Sequence, residues 1–306
     1  MRKLSLKPFL VYVPGDSDTR PHFRGGDDFI IPVDAVSNPQ LLDATALAFQ
    51  RSRDPMTADE VAAALSESFS QSDVRAVIAL LLEGGVLWSV PPEDGHGFLW
   101  RYLSRYVSDI APLKEKLRQT DLYLWGDGEG RSEMVEALAR HCLTARAVND
   151  GPPDIAPELI VAVGGFDTES RFDTINNYCL QYKVPWIAAV RCGPDQAQIG
   201  PLFIPEETAC YRCFQLRCAA NRSNYEQYVA FRKLTETPHR NGIWPEAHAQ
   251  FVASVVALEC VRFITDVAPA SSVGTVHYWE LDCWTPAVES VLKLPGCPCC
   301  GVSVES

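Results

Sequence analysis

Two Cys-x-x-Cys pairs constrain this chain more than any other feature: Cys210-Tyr-Arg-Cys213, and Cys297-Pro-Cys-Cys300 followed by Gly301. Two thiolates at that spacing bite one tetrahedral ion, and two such pairs complete its shell. A chain that uses both must bring residue 210 back to residue 300, so the segment between them closes on itself. Four thiolates leave no position for water, so the ion, read as Zn2+, is structural and not catalytic. Cys299 is the alternative to Cys300, with poorer spacing. Cys142, Cys179, Cys192, Cys218, Cys260 and Cys283 read as core or surface thiols. An odd count of eleven cysteines without a signal peptide argues for a reducing, cytoplasmic setting.

The 306 residues suggest two domains. A formal charge of −12 repels phosphates and anionic lipid, so neither nucleic acid nor membrane is an expected partner. The N-terminal apolar run is broken by Lys7, Pro8 and Pro14 and reads as a strand, not a signal peptide.

Residues 1–90 read as one small module. Leu6–Pro14 and Asp27–Val33 are strand-like, and three helical stretches follow. Pro39–Arg51 is the first. Thr57, with Glu60 three residues on, forms a capping box for the second. The third opens at Ser72, carries Val74, Val77, Ile78 and Leu81 on one face, and ends at Gly84–Gly85. Val86–Trp88 returns as a strand. This is winged helix-turn-helix order. A DNA-reading helix needs several Arg, Lys, Asn or Gln, and here only Arg75 and Gln71 are offered.

Residues 91–119 read as a linker and then one amphipathic helix, or two split at Pro112. From 120 to 306 the chain alternates strand and helix: Leu122–Trp125, Arg131–His141, Glu158–Val163, Arg171–Tyr182 and Val184–Val190. That alternation predicts an α/β domain with a parallel sheet. Ala247–Thr265 reads as a buried helix and Gly274–Trp284 as a late strand. His248 lies in that apolar helix and reads as a core histidine. The turn Gly126-Asp-Gly128-Glu-Gly130-Arg131 approaches a dinucleotide fingerprint, but Arg131 stands where the third glycine belongs. Asp127 and Glu129 add negative charge where a phosphate would sit. Asp167 and Arg171 follow a strand end, where α/β proteins bind ligands.

In this order the segments Asp121–Gly130, Leu159–Pro185, Ile199–Arg217, Phe251–Thr265 and Leu294–Gly301 resemble the ThiF/MoeB superfamily of ubiquitin-activating-like adenylating enzymes. The module at 1–90 resembles the peptide-recognition element of ribosomal peptide natural-product pathways. The combination is similar to the degenerate partner protein of YcaO cyclodehydratases. The resemblance implies a protein that binds the leader of a precursor peptide and presents its Cys/Ser/Thr core for azoline or azole formation, with ATP used by the YcaO enzyme. It also implies a homodimer, and in some systems a flavin-dependent dehydrogenase. The leader would add to the strand at Asp28–Val33 and meet Phe29, Ile31, Val74, Arg75, Ile78 and Leu82. The degenerate nucleotide turn would be Gly126, Gly128, Gly130, Asp167 and Arg171. The alternative is an ATP-dependent adenylating enzyme acting on a peptide carboxylate.

Overall fold

The structure is a computed structural model. It describes residues 2–15, 19–26, 29–33, 36–91, 96–126, 130–148, 151–165, 169–192, 195–227, 230 and 245–301. The chain divides into two compact units, Met1–Glu115 and Lys116–Ser306.

The first unit opens with two strands where the sequence suggested one: β1 (Leu4–Leu6) and β2 (Val11–Val13). Pro8 has no N–H to give a ladder, and the chain turns there, with Leu10 N–H donating to Lys7 O at 2.9 Å. β3 (His22–Gly25) and β4 (Phe29–Pro32) complete a three-stranded antiparallel sheet in the order β2-β3-β4. Three helices follow, α1 (Pro39–Arg51), α2 (Ala58–Ala64) and α3 (Gln71–Glu83). Asn38 caps α1. Thr57 and Glu60 form the expected capping box on α2. β5 (Leu87–Ser89) then pairs antiparallel with β1. The core holds Tyr12, Phe23, Leu42, Val61, Val74 and Ile78, all at most 2% exposed.

α4 (Gly97–Leu103) and α5 (Ala111–Gln119) are separate helices. The break falls at 104–110, before Pro112, because proline is tolerated in a first helical turn. The segment between them packs back on the first unit: Ser89 N–H donates to Ser108 O at 2.8 Å, and Arg2 pairs with Asp109 at 3.1 Å.

The second unit is built on one seven-stranded sheet in the order β12-β11-β10-β9-β8-β6-β7. β6 (Leu122–Trp125), β7 (Ala145–Val148), β8 (Leu159–Gly164) and β9 (Trp186–Arg191) are parallel, as the alternation predicted. β10 (Gln196–Phe203) is antiparallel to β9. The late strand expected at Gly274–Trp284 is a hairpin, β11 (Thr275–Glu280) and β12 (Thr285–Ser290), turning through Trp284 at φ 56°. The sheet is therefore mixed. β6, β8 and β9 are buried on both faces, which is why they read as unbroken apolar runs. Helices α7 (Glu169–Tyr182) and α8 (Tyr211–Ala220) cover one face; Phe172, Trp186, Phe203 and Tyr211 meet there. On the other side, α6 (Arg131–Arg140) and α9 (Glu246–Thr265) pack on each other. Among the described helices, α9 alone is long and apolar enough to cross a membrane, and half of it is buried in this unit.

Candidate functional site

Cys210 is the N-cap of α8, and Cys213 lies in its first turn. The helix N-terminus therefore aims its positive end at two sulfurs, which favours thiolates. Asn176 of α7 fixes that end: its Oδ1 accepts from Tyr211 N–H at 2.9 Å, and the pair is buried. The other two sulfurs come from the C-terminal tail. Gly296 adopts φ 71°, turning the chain into Cys297. Gly301 N–H donates to Cys297 O at 2.8 Å. A Cβ on Gly301 would lie 2.5 Å from that oxygen, so only glycine closes the knuckle.

The four sulfurs of Cys210, Cys213, Cys297 and Cys300 lie within 4.8 Å of one another. Cys210 Sγ is 3.8 Å from Cys213 Sγ and 3.7 Å from Cys297 Sγ, and Cys213 Sγ is 3.4 Å from Cys300 Sγ. A tetrahedron of sulfurs with metal–sulfur bonds of about 2.3 Å has edges of about 3.8 Å. The cage therefore fits a thiolate-bound metal ion. Leu294 N–H donates to Cys213 Sγ at 3.3 Å, the orienting contact such ligands take from the backbone. Burial pushes the Cys210 thiol up and Cys300 up to about 11. Burial also acts upward on Cys297, but the backbone amides of Cys300 and Cys299, together with hydrogen bonds from the Cys213 and Cys210 thiols, lower that thiol to about 7. Cys299 is exposed and outside the cluster. Arg217 of α8 adds a second tie to the tail, donating to Leu292 O at 2.6 Å and Lys293 O at 2.9 Å.

The glycine turn is arranged differently. Gly126 ends β6 at φ 123°, and a Cβ there would stand 2.1 Å from Val163 O. Its first task is to let β6 lie against β8. Gly130 is the left-handed N-cap of α6, at φ 86°. Gly128 and Asp167 lie outside the described residues. Arg171 is exposed on α7. A cavity of about 20 Å3 lies between Gly130, Met134, Val163, Arg191 and the Ala249 and Val252 side chains of α9. It has room for a water, against roughly 300 Å3 or more in a small-molecule pocket. His248, near the start of α9, packs edge-on against Trp284 with ring centroids 6.1 Å apart.

Of the residues expected to meet a peptide, Val74 and Ile78 face the core, 0% and 2% exposed. Leu82 and Ile31 are half-buried against that core. Arg75 is exposed and pairs with Asp59 at 2.8 Å. Phe29 is 49% exposed on β4, whose outer edge is unpaired among the described strands. The periodicity that marked Val74 and Ile78 is the periodicity of a core face, and does not separate core from groove.

No family description and no curated protein sequence matches this chain. Solved structures match it through their fold. A heterocyclase solved in complex with substrate and cofactor superimposes with a TM-score of 0.77, at 17% identity, over 98% of this chain and 40% of its own. The heterocyclase TruD gives 0.73 at 19% identity, over 98% and 43%. MccB of E. coli gives 0.62 at 15% identity, over 99% and 97%. MccB is a microcin C7 biosynthetic enzyme, also solved with N-formylated MccA. At these identities the likeness establishes the fold. The chain spans about two fifths of the length of the heterocyclase chains it matches.

Proposed function

We propose that this protein binds the leader of a ribosomally made precursor peptide and presents its Cys/Ser/Thr core to a YcaO cyclodehydratase, without carrying out bond chemistry itself. The carrying observation is the match of nearly the whole chain, 98%, to about two fifths of two heterocyclases. The other three fifths of those chains have no counterpart in these residues, and in this reading the YcaO enzyme supplies the ATP-dependent ring closure. The four strands, three helices and returning strand β5 of the first unit serve as the peptide-recognition element. Its open edge at β4 takes the leader as an added strand, with affinity from backbone hydrogen bonds and specificity from alternate side chains. Tethering raises the local concentration of the core peptide to roughly millimolar, which makes a non-catalytic subunit indispensable. The four thiolates hold Zn2+ as a structural ion.

The test is fluorescence polarisation of a labelled leader from the precursor gene beside this one. Submicromolar binding is expected. Phe29→Asp should weaken it at least thirtyfold while leaving the melting temperature within about 2 °C, because the side chain is half exposed. Absence of binding to the unaltered protein would overturn the reading.

The near-complete overlap with MccB supports a second reading, an ATP-dependent adenylating enzyme acting on a peptide carboxylate. Arg131 in the glycine turn counts against it. A rise in melting temperature with millimolar Mg-ATP would favour it.

A further inference from the structure

α4 has two opposite faces. Leu99, Trp100 and Leu103 are buried, each at most 6% exposed, and Ser104 is buried with them. Phe98, Arg101 and Tyr102 stand on the other side. The turn that follows stays helical, Tyr106 N–H donating to Leu103 O at 3.0 Å, and adds Arg105 and Tyr106 to that side at the same three- and four-residue spacing. Phe98 is 88% exposed, more than any other large hydrophobic side chain among the described residues. Tyr106 is also exposed, and its ring packs edge-on against Tyr102 with centroids 5.6 Å apart. The Arg105 guanidinium lies over the Phe9 ring, 5.9 Å from its centroid, which fixes that end of the stripe.

A single exposed apolar side chain needs no explanation, but an aligned stripe of three aromatic and two arginine side chains does. Aromatic residues and Arg are the types that protein interfaces concentrate. The charge of the stripe is also out of keeping with its chain. There are 39 Asp and Glu against 27 Lys and Arg, yet no carboxylate falls between His96 and Ser108. The stripe therefore attracts carboxylates where the net charge of −12 repels them. A second copy fits it poorly, because a two-fold contact centred on the stripe brings Arg101 and Arg105 against their own counterparts. The occupant is a different protein, with carboxylates around an apolar socket. In the two heterocyclases, about three fifths of the chain lies outside the match and is tethered covalently. In the presentation reading the ring-closing enzyme is a separate chain, so a surface must hold it where a linker does not.

We propose that the outer face of α4, from Phe98 to Tyr106, is the docking surface for the YcaO enzyme, with Phe98 seated in an apolar socket and Arg101 meeting a carboxylate at its rim. This rests on the presentation reading above and adds to it the place where the catalytic partner is held. α4 and β4 share no residue, so a substitution can remove one contact and leave the other. The two side chains act at different stages. A rim charge works at long range and sets the rate of encounter. A buried aromatic anchor acts once the complex has formed and sets the rate of release.

The experiment is biolayer interferometry of the full chain against the purified YcaO enzyme encoded beside it. Phe98→Ala should weaken binding about thirtyfold, the size of an interface hot spot, chiefly through faster dissociation. Arg101→Gln should weaken it about fivefold through slower association, and that gap should narrow between about 50 and 300 mM KCl. Both variants should keep the melting temperature and the leader affinity of the unaltered protein, because both side chains are exposed. Phe98→Ala binding the enzyme within twofold of the unaltered protein would overturn this inference and leave the presentation reading intact. Loss of a dimer in Phe98→Ala on light scattering, with enzyme affinity unchanged, would make the stripe a contact between copies and would also overturn it. If the unaltered protein binds the leader but not the enzyme, the presentation reading falls and this inference with it.

Discussion

Replacing Cys297 by serine should make the stability of the second unit independent of zinc. The sulfur separations describe one tetrahedral cage, which would hold one ion per chain. Ligands from residues 210–213 and 297–300 are together only in the folded state, so the ion binds the native form and not the unfolded chain. For one such site, each tenfold rise in free Zn2+ above the dissociation constant adds about 1.4 kcal/mol to the unfolding free energy. Three decades of buffered zinc therefore add about 4 kcal/mol, a large part of the roughly 5–15 kcal/mol that holds a domain folded. Three of the four ligands, Cys210, Cys213 and Cys297, are at most 4% exposed, so water does not substitute for a lost thiolate. The assay is urea unfolding followed by tryptophan fluorescence, with Trp125 and Trp186 buried in this unit as reporters, in chelator-buffered zinc. The midpoint should climb with log free zinc at constant m-value. Cys297→Ser should be flat, and Cys283→Ser, at an exposed thiol outside the cage, should climb like the unaltered protein. A flat response of the unaltered protein, or a retained slope in Cys297→Ser, would refute the reasoning.

Three further outcomes follow from the geometry. Gly126→Ala should destabilise by about 2–4 kcal/mol, since φ 123° is strained for any L side chain and Val163 O stands 2.1 Å from the added carbon; chemical denaturation reads it. Asn176→Ala removes the buried acceptor of Tyr211 N–H and should cost about 1–3 kcal/mol, with metal retention on dialysis falling as the α8 N-terminus loosens. The Glu60 carboxyl is held below its ordinary 4.5, first by the Thr57 backbone N–H and then by the Thr57 hydroxyl. Its folded-state value is depressed, so its contribution is present above pH 4.5 and lost as pH falls through the lowered value. The stability gap between the unaltered protein and Glu60→Gln should therefore shrink as pH falls below 4.5, and a gap that does not shrink with acidification would contradict the capping box.

The clustering of Cys210, Cys213, Cys297 and Cys300 was legible in the sequence because chelation is a matter of spacing, and spacing survives folding. The α2 cap was legible for the same reason, since Thr57 and Glu60 act on their own backbone. β6, β8 and β9 stood out because a strand covered on both faces is an unbroken apolar run. β10 is equally buried, but it turns antiparallel against β9, and which way a strand runs is decided by its neighbours. β7 was missed, being short and at an edge. Val74 and Ile78 show the limit from the other side: residues with core periodicity were assigned to a groove, and they lie in the core.

The paired thiols also set the unit of cooperativity. With a metal ion in the cage, the stretch from Cys210 to Cys300 becomes a closed ring that contains α8, α9, β11 and β12. No part of that ring can detach from either end by fraying, the ordinary low-energy route of local opening. Tail residues near a chain terminus would then exchange their amide hydrogens at the pace of the sheet they border. The second tie, from Arg217 to the carbonyls of Leu292 and Lys293, lies within the same ring. Removing the ion would release β12 and the tail to exchange on their own, so metal occupancy should be readable as protection at amides far from any sulfur.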